Sequence, residues 1–68
     1  MSQILPGCHV SVIDRRGQTH SRRAITSVVR GTDIEVVWVC RPEEWDAARA
    51  AGRDPEGMPW PAEDVKPA

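Results

Sequence analysis

Cys8, His9, His20 and Cys40 are the residues of this 68-residue chain with soft metal-ligand chemistry. Zinc sites pair their ligands about two to four residues apart on one turn, whereas adjacent Cys8 and His9 on a strand point to opposite faces. In a simple three-strand meander Cys8 and Cys40 are expected near opposite ends, which favours neither a shared metal nor a disulfide. Nucleophilic catalysis needs a Cys or Ser held by a His and oriented by a third group in a concave site. Asp14 and His20, facing each other across a predicted hairpin, can be drawn as an acid–base pair, yet a polar surface hairpin accounts for them equally. The expectation is therefore no catalytic residue, no metal ligand, no cofactor and no small-molecule substrate.

The arginines are the stronger chemical signal. Arg15 and Arg16 fall at the hairpin tip, Arg22 and Arg23 on the returning strand and Arg30 at the next turn. From there several can reach phosphates along one edge, so nucleic-acid binding is one expectation. The rest of the chain offsets it. Residues 1–32 carry a charge of +4 and residues 33–68 carry −5, for a net of −1, and no aromatic residue interleaves with the arginines to stack bases. Such a layout also suits a basic face for an acidic partner, or two patches that attract each other between copies.

Sixty-eight residues make one domain, 1–68, with residues 1–6 and 66–68 expected as flexible ends. A chain this short hides only about 60% of the surface that its unfolded form exposes. Small scaffolds make up the deficit with disulfides, a metal or association, and here association is the device left. The start, Met1-Ser2-Gln3-Ile4-Leu5-Pro6-Gly7, has neither the basic residues nor the apolar run of a secretory signal. No segment approaches the roughly 20 apolar residues that span a bilayer. A soluble, cytoplasmic protein is expected.

The elements follow from period and punctuation. His9 to Ile13 alternates as a first strand, Asp14 to Gln18 supplies a hairpin with Gly17 free to take positive φ, and a second strand is expected from about Ser21 to Val29. Arg30-Gly31-Thr32-Asp33 forms the next turn. It leads into Ile34-Glu-Val-Val-Trp-Val-Cys40, apolar at six of seven positions. On that third strand Ile34, Val36, Trp38 and Cys40 share one face while Val37 and Val39 take the other, so both faces call for cover. Pro42, the acids Glu43, Glu44 and Asp46, four alanines and a closing Gly52 predict a helix over 42–51. Its Trp45 and Ala48 share the face that packs on the sheet, with Arg49 placed to lie over the Trp45 ring. Prolines 55, 59 and 61 exclude a helix or a central strand beyond it, leaving an extended tail and a short last edge strand at Val65. Trp38 is expected in the core. Trp60, between two prolines, is expected to stay partly exposed and to form an apolar protein-interaction patch with Met58 and Val37 or Val39.

Pro6-Gly7-Cys8-His9-Val10-Ser11-Val12, with Gly17 ten residues after Gly7, resembles the opening of KOW and related small-barrel modules. Trp60-Pro61-Ala62-Glu63-Asp64-Val65 resembles the aromatic-Pro pair, short 3₁₀ turn and final Val that close SH3 domains. Taken together with Val37-Trp38-Val39-Cys40 and Glu44-Trp45, nearly the whole chain resembles short proteins of actinobacteria and their phages to which no activity is attached. The resemblance implies a small SH3-like barrel and, if the source is a phage, an accessory protein that meets a host or virion component. Proline-rich peptide binding is not implied, because the SH3 groove is paved with tyrosines. This chain has no Tyr and no Phe, and Asp64 stands where the closing tyrosine would be.

The sequence thus predicts a mainly β, small SH3-like barrel with one inserted helix and a proline-rich C-terminal segment. The expected function is that of a non-catalytic binding or assembly module. Its expected partner is a protein, either a second copy in a homodimer or a host or virion component, with nucleic acid the alternative.

Overall fold

The computed structural model describes residues 4–68. The elements are β1 (His9–Ile13), β2 (Thr19–Ala24), β3 (Val29–Arg30), β4 (Glu35–Cys40), α1 (Pro42–Ala51), β5 (Met58–Pro61), a one-turn 3₁₀ helix (Ala62–Asp64) and β6 (Val65–Pro67). They form the expected mainly β fold, a curled antiparallel half-barrel with one inserted helix. The strand order is β3-β4-β2-β1-β6, and β5 lies along the other edge of β4. No helix among the described residues is long and apolar enough to cross a membrane.

Local chemistry sets each turn. Asp14 Oδ1 accepts the backbone N–H of Arg16 at 2.8 Å and of Gln18 at 3.0 Å, and Gly17 takes φ 80°, so the β1–β2 hairpin is closed by one side chain and one left-handed residue. At the β3–β4 turn Gly31 N–H donates to Ile34 O at 2.8 Å, and a Cβ on Gly31 would stand 2.6 Å from that same oxygen. Helix α1 occupies the expected 42–51 span, with Pro42 in its first turn and Gly52 at φ 69° ending it.

The expected strand from Ser21 to Val29 is interrupted. Ala24 pairs with Val39 and Val29 with Val36, so the four residues 25–28 stand opposite only Val37 and Trp38. Such a bulge bends a strand and sharpens the curl of a sheet. Two bonds tie it down: Ile25 N–H donates to Trp38 O at 2.7 Å, and the Thr26 hydroxyl accepts Trp38 N–H at 3.3 Å. The Thr26 hydroxyl, which accepts Trp38 N–H and donates to Ser27 O, offers the backbone an alternative to the ladder and explains why the strand breaks here.

The tail is more ordered than expected. Lys66 and Pro67, expected at a loose end, pair with Ser11 and Val10 of β1, and Ala68 N–H donates to His9 O at 3.0 Å. Ile4, in the other expected flexible end, is buried; residues 1–3 of that expectation lie outside the described residues. The proline-rich stretch forms β5 as an edge strand. Pro59 and Pro61 have no N–H, so the ladder donors toward β4 must come from Met58 and Trp60, and the proline nitrogens turn to the open side.

The concave side holds one cluster of Ile4, Val10, Val12, Ala24, Val37, Val39 and Val65, against which Cys8, Trp60 and Ala62 pack. No aromatic ring is fully buried; the largest fully buried side chains are four valines.

Candidate functional site

The two faces of β4 are exchanged relative to expectation. Val37 and Val39, expected to be available for a partner, are 0% and 1% exposed at the centre of the core, whereas Trp38, expected in the core, is 40% exposed on the convex side. Volume explains the exchange. The inside of a tightly curled sheet has less room than its outside, so compact β-branched valines fill it and the indole is displaced outward.

Cover on the convex side is partial. Cys40 and Ala48 are buried but stand apart from the main cluster, and α1 packs against β2 at the end of the sheet where Arg23 pairs with Cys40. There the Arg23 guanidinium lies 5.2 Å from the centre of the Trp45 ring, taking the position expected for Arg49. Arg23 Nε also donates to Gly7 O at 2.9 Å, and Arg23 Nη1 lies 3.2 Å from His9 Nε2. A ten-residue helix reaches no farther, and the tail runs beside β4 instead of across it. The rest of the convex face stays open. Trp38 pairs in register with Pro59, Val36 with Val29 and Pro61. Trp38, Val36, Val29 and Pro59 line a shallow depression of about 580 Å³, with Arg30 and Thr32 at its end. Ile34, in the turn that precedes β4, is 55% exposed.

Met58 and Trp60, the other two expected contact residues, lie on β5. Met58 is 55% exposed. Trp60 is half-buried: its ring packs on the core cluster, and its Nε1–H donates to Ile13 O at 3.1 Å. Both line the shallow grooves on either side of β5, of about 400 and 390 Å³.

The structure does not gather the five arginines on one edge. Arg15 and Arg16 are exposed at the hairpin tip, while Arg22, opposite Val10 in register, turns toward the concave side and lines the groove beside Met58 and Trp60. Arg23 is occupied beneath α1, and Arg30 stands past the bulge at the far end of the sheet.

The ladder also corrects the placement of the cysteines. His9 pairs with Arg23, and Arg23 with Cys40, so Cys8 and Cys40 belong to the same end of the sheet. The sheet itself separates them: Cys8 packs on the core cluster and Cys40 on the helix side, and both are free thiols. Burial pushes the Cys40 thiol up, helped by the Glu44 carboxylate and opposed by Arg23.

Two carboxylates are held below their ordinary range. Asp14 Oδ2 stands 2.8 Å from His20 Nε2, and that bond, followed by the Gln18 N–H, lowers its pKa. Glu44 is lowered to about 2, first by Arg53 and then by the Glu56 backbone N–H at 2.9 Å. The Glu44–Arg53 pair ties the first turn of α1 to the loop that follows the helix. Both pairs do structural work at turns. Among the described residues no Ser, Thr or Cys side chain is hydrogen-bonded to His9 or His20.

No protein-family model, no curated protein and no solved structure matches the chain.

Proposed function

We propose that this protein is a non-catalytic binding or assembly module of the SH3-like small-barrel kind that engages a protein partner through the uncovered convex face of its sheet. The observation that carries the proposal is Trp38. Its ring is 40% exposed, yet its backbone C=O and N–H are both held by the neighbouring bulge, the C=O by Ile25 N–H and the N–H by the Thr26 hydroxyl. A large aromatic presented on a rigid strand loses little freedom when a partner covers it, and tryptophan is the residue type most enriched where binding energy concentrates. Val29, Val36 and Pro59 line the same depression as that anchor, Ile34 is exposed in the adjoining turn, and Met58 and Trp60 form a second contact region on β5.

The face is favoured over strand addition at β5 because Pro59 and Pro61 leave that edge without outward N–H donors. Protein is favoured over nucleic acid because Arg23 is engaged within the chain and the other arginines point to separate places. The setting that fits is the cytoplasm of a cell or of a phage-infected host. A photo-crosslinking amino acid at position 34, in the cells that make the protein, tests the proposal. Discrete adducts are expected from position 34 and not from position 50, which is exposed on α1. Equal or absent labelling at the two positions overturns it.

A further inference from the structure

We infer that the groove between β5 and the start of α1 takes a carboxylate side chain of an acidic but otherwise apolar peptide segment, held by Arg22 and Arg41. The inference rests on the reading of β5 as a contact region, names the chemistry that meets it and does not involve the convex face.

The first ground is a pair of like charges. The register that sets Arg23 opposite Cys40 and Ala24 opposite Val39 brings Arg22 opposite Arg41, one residue past the end of β4. Residues opposed in an antiparallel ladder share a face and hold their Cβ atoms about 5 Å apart, where like charges are destabilising. Both arginines line one groove of about 400 Å³. Among the described residues neither forms an ion pair, and Arg22 donates only to Ser21 O, at 2.7 Å. An anion seated between them relieves the repulsion, and the planar guanidinium fork matches the two oxygens of a carboxylate.

The second ground is what else lines the groove. Glu44 is already engaged: both its carboxylate oxygens accept from Arg53, and Oε2 also accepts Glu56 N–H at 2.9 Å. Arg53 is raised by that bond to Glu44 first and, less, by the Glu56 charge, so both acids act on Arg53. Arg22 and Arg41 are left as the uncommitted cations, beside Val39, Met58 and Trp60. Met58 is 55% exposed, and Trp60 is fixed by its bond to Ile13 O. A carboxylate with an apolar neighbour therefore meets a charged and an apolar half together. A nucleic-acid strand fits less well, because its successive phosphates would meet Glu44 and Glu56 in the same groove.

Two measurements on the whole protein test the inference. In urea denaturation at low salt, Arg22→Gln and Arg41→Gln should each be more favourable alone than in the presence of the other, because either one removes the repulsion; strict additivity overturns the like-charge pair and with it the inference. In an NMR titration with acetyl-Leu-Glu-Leu-amide up to about 10 mM, the amide signals of Arg22, Arg41 and Gly57 should shift. Binding should weaken at least about tenfold for the peptide carrying Gln in place of Glu, and likewise for the Arg22→Gln protein. No shift with the acidic peptide, equal affinity for the Gln peptide, or tighter binding of a single-stranded DNA oligonucleotide overturns the inference. Adducts from position 34 decide the convex-face reading separately in every one of these cases.

Discussion

The two faces of β4 are built from neighbouring residues of one strand and meet opposite fates. Val37 and Val39 look into the curl and are sealed by Val10, Val12, Ala24 and Val65. Val36 and Trp38 look outward, with α1 over only the last residue of their row. Hydropathy does not distinguish the two sets, since both are strongly apolar. The difference lies in volume and reach: the concave side accepts only compact side chains, and ten helical residues cannot cover the convex side.

The sharpest way to break this contrast is to charge one face at a time. Val37→Asp places a carboxylate where no water reaches, at a cost of several kcal/mol, about enough to unfold a domain this small; circular dichroism should show loss of the fold. A folded Val37→Asp variant would mean that the inner face is not the core. Gly57→Ala comes next. A Cβ at Gly57 would collide with the Val39 carbonyl oxygen and with Ile25 Cδ1, and overpacking of this kind costs about 2 kcal/mol, measurable by urea denaturation. Trp60→Phe removes the indole N–H donor to Ile13 O and should cost about 1 kcal/mol in the same assay.

Trp38→Ser sharpens the comparison from the other side. It should cost clearly less stability than Val37→Asp and leave the domain folded, because a ring already 40% exposed has less burial to lose, yet it should reduce the adducts formed from position 34. A loss of stability as large as that of Val37→Asp would place Trp38 in the core after all. The smallest effect is on pH dependence. Glu44 has a folded-state pKa depressed to about 2, so its contribution is fully present above its ordinary value near 4.5 and is lost as pH falls through about 2. Asp14 acts with the same sign. Acid titration of stability should therefore fall over that window, and Glu44→Gln should flatten the fall. The pair is exposed, which keeps the effect slight.

Much of the scaffold was legible locally. Helix 42–51 was, because Pro42, the acidic first turn and Gly52 are all signals within the segment. The Asp14–Gly17 hairpin was legible for the same reason, and the closing 3₁₀ turn through the resemblance of Trp60 to Val65 to the end of SH3 domains. The bulge at 25–28 was not, since Thr26 and Ser27 continue the alternation of a strand and only the bond to Trp38 N–H shows that they leave it. The shared row of His9, Arg23 and Cys40 was hidden for the same cause: a register shift upstream moves every later pairing. Of the expected contact residues, Met58 and Trp60 lie at the surface or partly so, while Val37 and Val39 do not. Ile34, Val29 and Trp38 were missed because alternation states which residues share a face, never which face is inside.

The chain alone determined the first hairpin, the helix, the turn chemistry and the presence of a strand apolar on two sides, because each depends on neighbours within a few residues. Tertiary structure decided which side of that strand turned inward, where Arg23 was committed and how far the helix reached. Those outcomes depend on the curvature of the whole sheet and on side-chain volume within it, quantities that belong to no single segment.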